Sequence, residues 1–349
     1  MSPSKQNSSP DFEQRPSAAQ VFASLDEERS SDPILGGIAA RELDSSDARA
    51  GEQSEPLLIG IVSSVPDLPQ TMHPFFGPVL AGIKARLVAA HADMFVPNYN
   101  PDSPTGADPT AIERCYSHGV QGLIVMGIGA ADLDIGPVLE SGRPIIMVDY
   151  PIPTARVGYV MSNNVEGMAS AVNHLYRLGR RRIGTITGML RARPAVDRLL
   201  GYRSEISRLR LEERPEYVVE GDFYHGSGYE QMQRLLALSE PPDAVTTASD
   251  MMAVGAIVAI EETGLRVPDD IAVVGFDDSP FASAMQPALT TVRQDALGLG
   301  MAAADGILAM LDHPDDPPPA ILLPTELVVR ESCGIELRQS VSSSKRATS

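Results

Sequence analysis

The chain has 349 residues, 43% of them hydrophobic, and a formal net charge of −18. That length exceeds the usual single-domain size and suffices for two sizeable cores. The acidic balance excludes non-specific attraction to nucleic acid or anionic lipid, which a polyanion repels, so any DNA-binding segment has to be locally basic.

Residues 1 to 55 carry eleven acidic and five basic residues among Ser, Pro and Gln, a composition that predicts a disordered or weakly helical segment. The first ten residues are polar, with Ser at four positions, and no apolar core of signal-peptide length follows. No run approaches the ~18 to 20 apolar residues of a membrane span. Cys115 and Cys333 follow neither a metal nor a disulfide-framework spacing. Together these features predict a cytoplasmic protein with no membrane partner, two reduced thiols, no metal and no cofactor.

From Leu57 the pattern changes to alternating strands and helices. Leu57 to Val62 reads as a buried strand, and a helix opening at Pro74-Phe75-Phe76 places Phe76, Val79, Leu80, Ile83 and Leu87 on one face. Strands follow at Met94 to Val96, Val120 to Met126 and Pro144 to Val148, the last ending at Asp149, with a helix around Ala111 to His118 between the first two. These steps predict a first doubly wound lobe.

A second lobe begins after Val157 to Met161. Asn163-Asn164 caps a helix from Val165 to Leu178, which Gly179 ends beside Arg180, Arg181 and Arg182, cations suited to a helix C-terminus. Strand Ile183 to Thr187, a helix around Ala195 to Leu209 carrying Arg198, strand Tyr217 to Val219, then Gly221-Asp222-Phe223 and a helix to Leu238 come next.

Residues 243 to 295 organise the rest. The run Ala244 to Ala248 ends in Ser249-Asp250, apolar residues recur at helical spacing to Gly264, and a second buried run, Ile271 to Phe276, closes at Asp277-Asp278-Ser279-Pro280. This is a βαβ unit with a crossover long enough for parallel pairing. Asp250 stands at a strand's carboxyl end, where open α/β sheets bind ligands, and it offers two acceptors to a polyhydroxylated or amine-bearing guest. Leu289 to Val292 and Pro319 to Leu323 read as returns between lobes, which with the crossing near Val157 makes a three-strand hinge.

The segments Ser249-Asp250-Met251-Met252-Ala253, Gly264 to Asp278 and Pro287 to Gln294 closely resemble the effector-binding core of the LacI/GalR family of transcription regulators. The resemblance runs from about Leu57 to Ile335. It implies an α/β fold of two doubly wound parallel-sheet lobes joined by a three-strand hinge, of the type I periplasmic-binding-protein-like kind. On this reading residues 56–158 plus 290–318 form the N-terminal lobe, 159–289 plus 319–337 the C-terminal lobe, and 338–349 a disordered tail. The family places a helix-turn-helix and hinge helix before the core. Neither is readable in residues 1 to 55, where Asp26-Glu27-Glu28 and Glu42-Leu43-Asp44 would face phosphates with the wrong sign, so DNA binding by this chain alone is not expected.

The resemblance also assigns roles. Asp250 matches the aspartate of the family's ND-x-MA motif, and Arg198, in Arg198-Leu199-Leu200-Gly201-Tyr202, the arginine of RLxGY. Both bind effector in the family. Phe76 and Phe223 match aromatic wall positions. Asp149 and Gln294 stand at the lobe mouth or hinge, Asn164 is a helix cap able to touch ligand, and His73 departs from the family's Asn, adding a group that titrates near neutral pH. Arg191 and Arg193 leave an anionic ligand open. Phosphate-loop, nucleophile-elbow, dinucleotide and zinc signatures are not found, so an enzyme is not expected. The expected protein is a LacI-type ligand sensor and homodimer that binds a small polar effector, a sugar or sugar derivative, and changes lobe arrangement. A DNA-binding repressor with a divergent N-terminal reader and a solute-binding protein serving a transporter are the alternatives.

Overall fold

The computed structural model describes residues 57–63, 73–97, 110–127, 142–152 and 156–334. The expected tails, 1–55 and 338–349, lie outside the described residues.

Two six-stranded sheets divide the chain. The first contains β1 (Leu58–Ser63), β2 (Asp93–Phe95), β3 (Gly122–Met126), β4 (Ile145–Val148), β5 (Val157–Ser162) and β11 (Ala320–Leu323). Their spatial order is β11-β5-β4-β3-β1-β2, and every pairing is parallel. The second contains β6 (Ile183–Thr187), β7 (Val218–Glu220), β8 (Ala244–Thr247), β9 (Ala272–Asp277), β10 (Thr290–Gln294) and β12 (Thr325–Val328), in the order β12-β10-β9-β8-β6-β7. It is parallel except for β12, which runs antiparallel to β10 at the edge. Strands such as Gly122–Met126 and Ile145–Val148 are buried along their whole length, as sheets covered by helices on both faces require.

The first sheet is covered by α1 (Phe76–Ala89) and α7 (Ala296–Asp312) on one face, where Val79, Ile83, Leu87, Leu299, Ala303 and Ile307 form the core, and by α2 (Thr110–Ser117) on the other. The second lies between α3 (Asn164–Arg177) with α4 (Arg193–Arg208) and α5 (His225–Leu236) with α6 (Asp250–Glu262). Helices α1 and α7 meet backbone to backbone at Gly82 and Gly300: a Cβ on Gly300 would stand 1.9 Å from the Val79 carbonyl oxygen.

The expected three-strand hinge is present, and its crossings fall later than the expected boundaries. Each crossing run pairs along its full length within one sheet: β5 and β11 in the first, β10 in the second. The chain therefore leaves the first sheet at Asn163, returns to that lobe at Asp295 and leaves again at Pro324, rather than at 158, 290 and 319. Local chemistry sets these points. The side chains of Asn163 and Asp295 accept from the backbone N–H of Glu166 and Gly298, so both residues start helices. Pro324 has no N–H to extend a ladder.

Candidate functional site

Between the sheets lies a partly open cavity of about 140 Å³, the scale of cavities that accept a single six-membered ring. Strand ends from both lobes build it. Gly127 follows β3, Asp149 follows β4, Asp277 ends β9 and Gln294 ends β10, while Asp222 and Phe223 come shortly after β7. Carboxyl ends of parallel strands are where open α/β sheets present binding groups.

Six expected residues line this cavity: His73, Phe76, Asp149, Arg198, Phe223 and Gln294. Arg198 is 4% exposed and projects from α4 with its guanidinium 3.8 Å from the centre of the Phe276 ring. It donates from Nε to Asn164 Oδ1 at 2.8 Å and from Nη1 to the Ala248 carbonyl, and its Nη1 stands 3.9 Å from Asp277 Oδ1. Such stacking and forked donation fix the plane of the group. Gln294 donates from Nε2 to Asp277 Oδ1 at 2.7 Å. The Phe223 ring lies on Gly188, where a Cβ would come within 2.1 Å of it.

The other two expected residues, Asp250 and Asn164, do not line the cavity. Asp250 is 0% exposed and does not line the cavity. Its Oδ2 accepts from the Ser279 N–H at 2.6 Å and its Oδ1 from the Thr291 hydroxyl at 2.5 Å. Ser249, not Asp250, caps α6, accepting from the Met252 N–H at 3.1 Å. Asp250 thus sits in the first helical turn and ties α6 to the ends of β9 and β10, with Gly275 leaving room for its carboxylate. Asn164 is 1% exposed and reaches the cavity only through Arg198, which it orients while donating to the Ser162 carbonyl at 3.1 Å. Arg193 pairs with Asp197 at 2.7 Å instead of facing a ligand, whereas Arg191 does line the cavity.

Asp277 was missed, although it ends a strand just as Asp149 follows one. Both have positive φ, 121° for Asp277 and 60° for Asp149, as does Phe223 at 76°. Non-glycine residues rarely adopt this backbone, and it concentrates at binding sites where surrounding structure holds it in place. The aspartate pair in Gly275-Phe276-Asp277-Asp278 was the available signal. Phe75 and Tyr224 also join the aromatic wall unforeseen.

Electrostatically the site sets one buried guanidinium among several carboxylates. Burial pushes Asp277 up to about 7 against the pull of Arg198, and Asp149 up to about 6 in the same way. Burial, with Asp277 beside it, raises Asp250 well above the ordinary carboxylate range. Burial and then Arg198 push His73 down to about 4, so its ring is neutral at neutral pH. Four buried polar atoms of the cavity residues have no hydrogen-bond partner among the described residues: His73 Nε2, Asp149 Oδ1, Asp277 Oδ2 and Gln294 Oε1. Orphaned buried groups cost stability and call for a partner. Their convergence from both lobes fits a small guest rich in hydroxyl groups. Among the described residues no group of three His, Cys, Asp or Glu is placed to hold a metal ion, and no helix is long and apolar enough to cross a membrane.

Comparison with known proteins agrees with this architecture. Residues 172–333 match the family model of the periplasmic binding protein-like domain. The chain is 31% identical over 271 residues to a probable transcriptional repressor of Bacillus subtilis, ExuR, covering 75% of this chain and 77% of that protein. It is 29% identical over 292 residues to the ribose operon repressor of Haemophilus influenzae, covering 82% and 84%. Among solved structures, a complex of the transcriptional regulator CelR with cellobiose superposes with a TM-score of 0.71 at 29% identity over 79% of this chain and 84% of that one. The lac repressor dimer bound to operator and an anti-inducer gives 0.69 at 30% identity over 81% and 95%. These relatives are transcription regulators, not enzymes, and the chain belongs to the LacI family of transcription regulators.

Proposed function

We propose that the cavity between the lobes binds a sugar or sugar derivative as effector, and that filling it changes the lobe arrangement through which the protein regulates transcription. The observation that carries this reading is the convergence of four unpartnered buried polar atoms, two from each lobe, inside an aromatic wall of Phe75, Phe76 and Phe223. Sugars present that combination of hydroxyls and apolar ring faces. Asp277, Arg198, Asp149, Gln294 and His73 supply the polar contacts, and Asp250 and Asn164 hold the first two in place. The named ligand of the CelR complex, cellobiose, belongs to the same chemical class.

A ligand shifts a two-state equilibrium only by its differential affinity for the two states. Contacts from both lobes supply that difference, because opening the cleft separates His73 and Asp149 from Asp277 and Gln294. The protein acts in the cytoplasm and without catalysis. It works as a homodimer, the state of the lac repressor in its operator complex. Thermal-shift screening against D-ribose, D-glucose, cellobiose and uronic acids tests the reading: a bound sugar at 100 times its dissociation constant adds about 2.7 kcal/mol to the folded state. A flat response to every sugar contradicts it.

A further inference from the structure

Asp277 lines the cavity and its neighbour Asp278 does not. Yet the two share an uncommon backbone, with φ of 121° and 56°. Non-glycine residues hold such conformations only where surrounding contacts over-determine them. Those contacts converge on the Asp278 side chain, which is 11% exposed. Its Oδ2 accepts from Arg293 Nε at 2.7 Å and its Oδ1 from Arg330 Nη2 at 2.6 Å, so both oxygens are engaged by charge-assisted bonds. Its backbone N–H donates to the Thr291 hydroxyl at 3.3 Å.

Both arginines adjoin the hinge. Arg293 lies on β10 two residues before the crossing at Asp295, and Glu326 lies on β12 two residues after the crossing at Pro324. These two residues face each other in the antiparallel register, with Arg293 Nη1 3.2 Å from Glu326 Oε2. Arg330 follows β12 and is itself fixed, donating from Nη1 to the Leu289 carbonyl and from its backbone N–H to the Thr290 hydroxyl, each at 2.8 Å. The turn after β9 is thereby clasped to the strands beside the hinge.

We propose that Asp278 is a positioning residue for the effector site: held by Arg293 and Arg330, it fixes the turn in which Asp277 lines the cavity and ties that turn to the strands beside the hinge. Asp278 acts through Asp277, so it sets how strongly the protein binds and not which sugar it prefers. Its effect on affinity rests on the cavity being a sugar site; its placement of Asp277 does not. Arg198, Asp149, Asp250 and His73 are the charged and titratable groups around Asp277, and burial holds its carboxyl at about 7. Loosening the turn releases that burial and returns the carboxyl towards its ordinary value of 3.8, which removes the loss of stability that otherwise sets in as the pH rises through 7.

The test titrates D-ribose, D-glucose and cellobiose into the folded full chain and into Asp278→Ala, which removes both acceptors. Affinity for the tightest binder is expected to fall about tenfold, the lower end of the range for a hydrogen bond to a charged group, with the order of preference unchanged. In an Asp277→Asn background the same substitution is expected to change affinity by less than about twofold, because the residue it acts through is already lost. Asp278→Asn, which keeps one acceptor and tolerates a left-handed backbone, restores part of the loss. Arg330→Gln carries the test if Asp278→Ala does not fold, and adds a readout that needs no ligand. By charge alone, removing this cation raises the Asp277 carboxyl, whereas loss of position lowers it. Unfolding midpoints from pH 4 to pH 8 are therefore expected to decline less towards pH 8 in Arg330→Gln than in the parent protein. An equal loss of affinity from Asp278→Ala with and without Asp277→Asn, or a decline in Arg330→Gln as steep as the parent's, overturns the assignment while leaving the sugar site standing. Failure of all three sugars to bind overturns the sugar reading, and the midpoints then decide the placement of Asp277.

Discussion

Arg198 Nε donates to Asn164 Oδ1 at 2.8 Å, with both side chains buried. The helix that opens the C-terminal lobe thereby aims the cation of the helix that follows it. Asn164 contributes to the cavity only through this bond, so its replacement separates orientation from contact. Asn164→Ala leaves a buried guanidinium N–H unpaired and is expected to destabilise the protein by about 1–3 kcal/mol, measured by urea unfolding. It is also expected to weaken sugar binding without altering which sugar is preferred.

Asp250 and Asp277 invite opposite outcomes. Asp250→Ala strands the Ser279 N–H and the Thr291 hydroxyl in the core. The expected result is a loss of about 1–3 kcal/mol in unfolding free energy. Asp277→Asn removes a carboxylate whose burial already disfavours its charge. Its expected result is weaker ligand binding with stability kept at neutral pH. Chemical denaturation of the two variants side by side distinguishes these roles.

This contrast shows how far the sequence could be read. The alternation of strands and helices was legible because buried runs such as Ile183–Thr187 and Ala272–Asp277 lie between amphipathic helices. The ring wall and Arg198 were legible through family motifs. Which aspartate lines the cavity was not, since Asp250 and Asp277 both follow or end a buried strand, and Asp277 alone of the two has a positive φ. Hinge positions were misplaced for a related reason: strand membership is decided by pairing partners far along the chain, as with Ala320 on Tyr159.

Stability of the unliganded protein should depend on pH in two opposing ways. Asp149 and Asp277 bind protons more tightly folded than unfolded, so their contribution is full below about 3.8 and is lost as the pH rises through 6 and 7. His73 binds its proton less tightly folded, so its contribution is present above 6.5 and is lost as the pH falls towards 4. Asp277→Asn is expected to flatten the decline approaching pH 7 and to exceed the parent protein in stability at pH 8. His73→Asn is expected to flatten the acid side. Unfolding midpoints recorded from pH 4 to pH 8 check both signs.

Helices α1 and α7 depend on an absent side chain. Gly300→Ala places a methyl group against the Val79 carbonyl, where backbone rather than a flexible side chain has to move. The expected cost is about 1–3 kcal/mol or more. Gly226→Ala, in open space at the start of α5, is the matched control and should change little. Urea midpoints of the two variants give the comparison.

The most direct measurement is isothermal titration of the sugar giving the largest thermal shift into the parent protein and into Asp277→Asn. Circular dichroism first establishes that the variant is folded. At pH 8, where the parent carboxylate is ionised, the account predicts a dissociation constant raised at least about tenfold, since a hydrogen bond to a charged acceptor is lost. An unchanged dissociation constant in the folded variant would contradict the claim that the effector is held between the lobes at Asp277.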